Sequence, residues 1–157
     1  MALRKVRTEE DPVLRKISKP VVAFDGKLGV LLGDMKDTMY KADGVGLAAV
    51  QIGILRRVVV IDIGDEHGFM ELINPEIIER RGEQRESEGC LSLPDKSGVT
   101  LRPMYVKFKA QDRQGNWYEA DGEGLFARCV CHELDHLDGH IFTDRLAEGE
   151  RVRISRD

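Results

Sequence analysis

The chain has 157 residues, 24 basic and 28 acidic, with a formal charge of −4 and 41% hydrophobic residues. That length and apolar content fit one core, so residues 1–157 are expected to form a single domain, and the intermixed charges offer no basic stripe for nucleic acid. No segment approaches the roughly 20 apolar residues that cross a bilayer, and residues 1–10 lack a signal-peptide pattern, so a soluble, cytoplasmic protein with no membrane partner is expected.

In chain order, Asp25 is a helix N-cap, and Leu28, Leu31, Leu32, Met35 and Met39 behind it form the stripe of an amphipathic helix that stops before Asp43-Gly44. Residues 57–62 are a β-branched run. Residues 69–73 return from it around Asp65-Glu66-His67-Gly68, and residues 77–81 continue the extended pattern. The alternating residues 105–110 turn at Arg113-Gln114-Gly115-Asn116 into residues 117–119. A second helix follows Gly124, with Phe126, Val130, Leu134 and Leu137 on one side and Gly139 as its stop. Helices beside a run of hairpins make an α+β protein, its mostly antiparallel sheets packed around the second helix.

The second helix carries His132-Glu133-Leu134-Asp135-His136, the H-E-x-x-H pattern. Residues four apart share a helix face, so both imidazoles can reach one ion, and Glu133 can move protons for a metal-bound water without itself binding. A third ligand is needed. Metzincin spacing would put it at position 142, which is Phe142; His140 is two residues early, and Glu148 and Glu150 are too close to serve as a distant peptidase ligand. Among the three cysteines, Cys131 points away from the histidines, while Cys129 shares their face but starts a full turn below the ion. Cys90 is the stronger candidate, since it follows Gly89 in a segment, Glu88 to Pro94, where backbone can come close, although such a cysteine taken alone is more often a buried structural one. Three ligands and an adjacent carboxylate make an open, hydrolytic site; a structural metal domain would close it with a fourth.

Three motifs in order, Gly44-Val45-Gly46-Leu47-Ala48-Ala49-Val50-Gln51, Glu88-Gly89-Cys90-Leu91-Ser92 and the His132–His136 segment, resemble the bacterial peptide deformylase family. So do Asp11-Pro12-Val13-Leu14-Arg15, Asn74-Pro75 and His136-Leu137-Asp138-Gly139. The resemblance implies hydrolytic removal of the formyl group from the N-terminal formyl-methionine of new polypeptides. It implies Cys90, His132 and His136 as metal ligands, Glu133 as general acid/base, and Gln51 with the Leu91 backbone N–H as oxyanion donors. It also implies a substrate cleft with Val45, Gly46, Gly89, Leu125 and Cys129 along it, Arg128 at its rim, and a Glu88–Arg102 ion pair behind the Cys90 segment. The implied cofactor is one divalent ion, ferrous iron natively, with Zn(II), Ni(II) or Co(II) as substitutes. The implied partner is the formylated nascent chain, with at most transient ribosome contact, because Arg151 to Asp157 stand where many members continue into a basic helix. The rival readings are a metallopeptidase cutting internal bonds and a metal-binding domain without turnover.

Overall fold

The structure is a computed structural model that describes residues 2–155; Met1, Arg156 and Asp157, the last two from the C-terminal segment noted above, lie outside it. Its elements run α1 (Gly26–Lys41), β1 (Gly46–Ala48), β2 (Val58–Ile61), β3 (Met70–Arg81), β4 (Gln84–Cys90), β5 (Leu93–Arg102), β6 (Tyr105–Gln111), β7 (Trp117–Glu123), α2 (Leu125–Leu137) and β8 (Arg153–Ile154), with short 3₁₀ turns between. Two antiparallel sheets result, one ordered β1-β2-β3-β6-β7 and the other β4-β5-β8.

The Asp25 carboxylate caps α1 by accepting the Leu28 N–H at 3.1 Å, and Asp43 leaves the helix end at φ 57°. The five apolar residues of its stripe are buried against Leu47, Val58, Val60 and Ile73. The other face of the five-stranded sheet presents Val59, Ile61, Leu72, Val106 and Phe108 to Phe126, Val130 and Leu134 of α2. Thus β2 is apolar at every position because both of its faces are covered, which is why Val58-Val59-Val60-Ile61 shows no alternation. The second sheet lies along α2 and brings the end of β4 to its polar face.

Three segments differ from the sequence-based expectation. Residues 69–73 and 77–81 join in one strand, β3, which passes through Asn74-Pro75 with a register shift between Ile73 and Glu76. Asn74 tolerates φ 52° there because its side chain accepts the Val21 N–H and donates to the Val21 carbonyl and to Gln111. Pro94 does not end the Cys90 segment but lies inside β5, and the hairpin β4–β5 has no apolar alternation in β4 to announce it: the inward positions are Gln84 and Glu88. Residues 117–119 extend to Glu123, and β8 joins β5 through Lys96 and Ser97.

Candidate metal centre

Three elements meet at the site. β1 runs into a 3₁₀ turn (Ala49–Ile52) that holds Gln51, the β4–β5 hairpin carries Cys90, and α2 carries His132, Glu133 and His136. The ligand atoms of Cys90, His132 and His136 lie within 4.8 Å of one another, with Cys90 Sγ 3.4 Å from His136 Nε2. A tetrahedral ion sets sulfur and nitrogen donors about 3.5 Å apart, so a thiol and two imidazoles at this spacing fit one divalent ion.

The second layer is built for the same end. His132 Nδ1–H donates to Glu88 Oε1 at 2.9 Å, which leaves Nε2 free for an ion. Arg102 grips Glu88 with two bonds, Nε to Oε2 at 2.9 Å and Nη2 to Oε1 at 3.0 Å, and Thr100 donates its hydroxyl to the same carboxylate. Arg102 in turn reaches Asp135 at 2.6 Å, and Arg145 closes the chain on Asp135 at 3.1 Å. Burial works against the Glu88 charge, yet the bonds from His132 and Arg102 outweigh it and hold the carboxyl at about 2. The sequence paired Glu88 with Arg102; the bond from His132, 44 residues away, had no local signal.

Glu133 is buried beside Gly46. A Cβ on Gly46 would lie 2.5 Å from Glu133 Oε2, so a glycine there makes room for the carboxylate. Burial pushes the Glu133 carboxyl up to about 7, and its Oε1 has no hydrogen-bond partner among the described residues. His136 Nδ1 is equally without one. Burial lowers the His136 pKa, keeping the imidazole neutral as a ligand must be.

Gln51 is fixed at both ends: its Oε1 accepts the Ala48 N–H at 2.9 Å, while Nε2 donates to Ser92 Oγ at 3.0 Å and approaches Cys90 Sγ at 3.6 Å. One amide hydrogen is therefore committed to Ser92 and the other faces the Cys90 sulfur. Ser92, fully buried, closes the Cys90 motif, but nothing in the sequence assigned its hydroxyl a partner.

A cleft of about 450 Å³ opens in front of these groups and is lined by Val45, Gly46, Gln51, Gly89, Cys90, Leu91, Leu125, Cys129, His132 and Glu133, so ten of the eleven expected residues share it. His136 lies behind, fully buried. Cys129 donates its thiol hydrogen to the Val45 carbonyl at 3.6 Å and stays out of the ligand cluster, while Cys131 faces a separate groove with Arg80 and Asp135. Arg128 lines the cleft and reaches the Ser87 carbonyl at 3.4 Å.

The polypeptide deformylase family model matches residues 3–152. The chain belongs to the polypeptide deformylase family. It is 58% identical over 146 residues to the peptide deformylase of Caldicellulosiruptor bescii, covering 93% of this chain and 87% of that protein. The solved peptide deformylase of Legionella pneumophila superposes with a TM-score of 0.89 at 49% identity, over 94% of this chain and 88% of the other. That of Synechococcus elongatus, solved in complex with actinonin, gives 0.88 at 39% identity, over 93% and 82%. The chain is thus a metal-dependent enzyme that removes N-formyl groups from nascent polypeptides. Among the described residues no helix is long and apolar enough to cross a membrane.

Proposed function

We propose that Cys90, His132 and His136 hold the ion, that Glu133 moves the protons, and that Gln51 with the Leu91 backbone N–H receives the developing oxyanion during hydrolysis of formyl-methionine. A divalent ion held by these three residues would supply a Lewis acid and lower the pKa of a water from 15.7 to about 7. Glu133 takes the proton of the attacking water and returns it to the methionine nitrogen as the C–N bond breaks, so formamide and water become amine and formate. The Gln51 amide hydrogen that faces Cys90 Sγ turns to the formyl oxygen as its charge grows, a contact worth about 3 kcal/mol in comparable sites. Val45, Gly46 and Gly89 flank the peptide backbone, and Leu125 and Cys129 receive the methionine side chain.

The observation that carries this reading is a buried Glu133 oxygen, without a partner among the described residues, at a cleft shared with Cys90 and His132, with His136 clustered behind them. It favours hydrolysis over a metal-binding domain without turnover, because among the described residues Glu133 Oε1 has no hydrogen-bond partner to explain its burial. The test is formate release from formyl-Met-Ala beside the unformylated peptide. Glu133→Ala should keep its metal and lose about 10²- to 10⁴-fold in kcat; unchanged turnover would remove its role. Cleavage of the internal bond without formate would instead identify a peptidase.

The same reading takes ferrous iron as the native ion, with zinc, nickel and cobalt as substitutes, since one thiolate and two imidazoles accept all four. Metal analysis after anaerobic purification, with activity on the same sample, decides it. Formylated nascent chains place the enzyme in the cytoplasm, with any ribosome contact transient. Actinonin, which the Synechococcus elongatus relative holds, should compete with formyl-Met-Ala for the cleft.

A further inference from the structure

His67 lies in the turn between β2 and β3, away from the metal ligands, and both of its ring nitrogens face acceptors. Nδ1 is 2.8 Å from Asp65 Oδ2 and Nε2 is 2.8 Å from the Asp121 carbonyl on β7. A carbonyl cannot donate. Desolvation opposes the Asp65 charge, yet the bonds from His67 hold that carboxyl below its usual range, so neither acceptor supplies a proton. Only the imidazolium has two N–H groups to satisfy both.

The ring also lies flat on Phe126, with centroids 3.8 Å apart and planes 14° from parallel. Gly122 makes the stack possible: a Cβ there would fall 2.5 Å from the Phe126 ring and 3.2 Å from His67. Phe126 is in the first turn of α2, whose N-cap, Gly124, has no side chain to bond the helix end. That turn is seated instead by Gln84, which donates to the Gly124 carbonyl at 2.8 Å, and by the packing of Phe126. Leu125 and Cys129, on either side of Phe126 along the helix, line the cleft.

We propose that His67 is a positioning residue: as an imidazolium it latches the β2–β3 turn to β7 and, through Phe126, seats the cleft walls Leu125 and Cys129 for substrate. The groups facing it are Asp65 and Glu66 from its own turn, Asp121 from β7, whose carboxylate is taken by the Tyr105 hydroxyl of β6, and the uncharged Phe126 from α2. Lys107, opposite Asp121 on β6, is paired with Glu119. Partial burial opposes the His67 charge, but the bonds to Asp65 and Asp121 prevail and its pKa rises above 6.5. A raised pKa means the latch is complete in acid and is lost as pH climbs through that value.

The inference rests on the cleft being the formyl-methionine site. With the zinc-loaded wild type, KM for formyl-Met-Ala should rise about fivefold as His67 deprotonates, the effect of one hydrogen bond. His67→Ala should show the higher KM throughout and lose the step while kcat stays within about twofold, and Asp65→Asn should move the step to lower pH. A KM profile that His67→Ala leaves unchanged overturns the proposal. An NMR titration of the wild-type His67 ring judges the latch without any variant: a pKa above 6.5 supports it, and one at or below 6.5 overturns it. Absence of formate release by the wild type would instead sink the reading of the cleft, and the titration would stand apart from it.

Discussion

A methyl group on Gly46 would press on the Glu133 carboxylate, 2.5 Å from Oε2, with the backbone of β1 behind it paired to β2 and unable to yield. Gly46→Ala should therefore fold, bind metal and lose about a hundredfold in kcat/KM, the cost of moving a catalytic group by about an ångström; wild-type activity in a variant of unchanged melting temperature would contradict the contact. As the proposed base, Glu133 should also set the acid limb of the pH profile. Its carboxyl is pushed up to about 7 by burial, and the base form exists only above that value. The kcat/KM of the metal-loaded enzyme should fall about tenfold per unit below pH 7. A profile flat from pH 8 to pH 5 would exclude it as the base. H-E-x-x-H marks Glu133 as a candidate catalytic carboxylate, but the glycine that accommodates it lies on β1, far away in sequence, and the resemblance implies Gly46 only as part of the substrate cleft.

At the scale of elements, the hairpin β4–β5 is tied to α2 by charge rather than by apolar packing. Arg102 lies between Glu88 and Asp135, its side chain 3% exposed, and Glu88 passes the link to His132. Because the Glu88 carboxyl is depressed from 4.5 to about 2, its contribution to stability is present above pH 4.5 and is lost as pH falls towards 2. The shift corresponds to roughly 3 kcal/mol. Urea unfolding of Glu88→Gln should show a deficit at pH 7 that narrows steadily between pH 4.5 and pH 2; a gap independent of pH would mean that packing, not charge, accounts for it. This hairpin escaped the sequence reading for the same reason. Gln-Arg-Glu-Ser-Glu-Gly-Cys has no β-branched alternation, and its strand is stabilised by partners on α2 and β5 that only the fold supplies.

Across the whole molecule, the proposed ion joins the second sheet, through Cys90, to the helix that fills the core between the sheets, through His132 and His136. Removing it with a chelator should lower the melting temperature by roughly 5 °C, with recovery on adding zinc, since a ligand that binds only the folded state stabilises it by mass action. A melting curve indifferent to chelation would place the three side chains outside any metal site. The family resemblance, the two helices and the candidate donors Cys90, His132 and His136 could be read from the chain, because each depends on local spacing: a 3.6-residue stripe from Leu28 to Met39, a four-residue step from His132 to His136, a motif around Cys90. Tertiary structure alone decided the rest. It continued β3 through Asn74-Pro75, because Val21 and Gln111 satisfy the bulged asparagine. It aimed Glu88 at His132 and Ser92 at Gln51, and it laid His67 on Phe126. Hydrogen-bond partners 41 and 44 residues apart, like two rings stacked across the fold, leave no periodic trace in a sequence, so only the packed sheets and helix bring them within reach of one another.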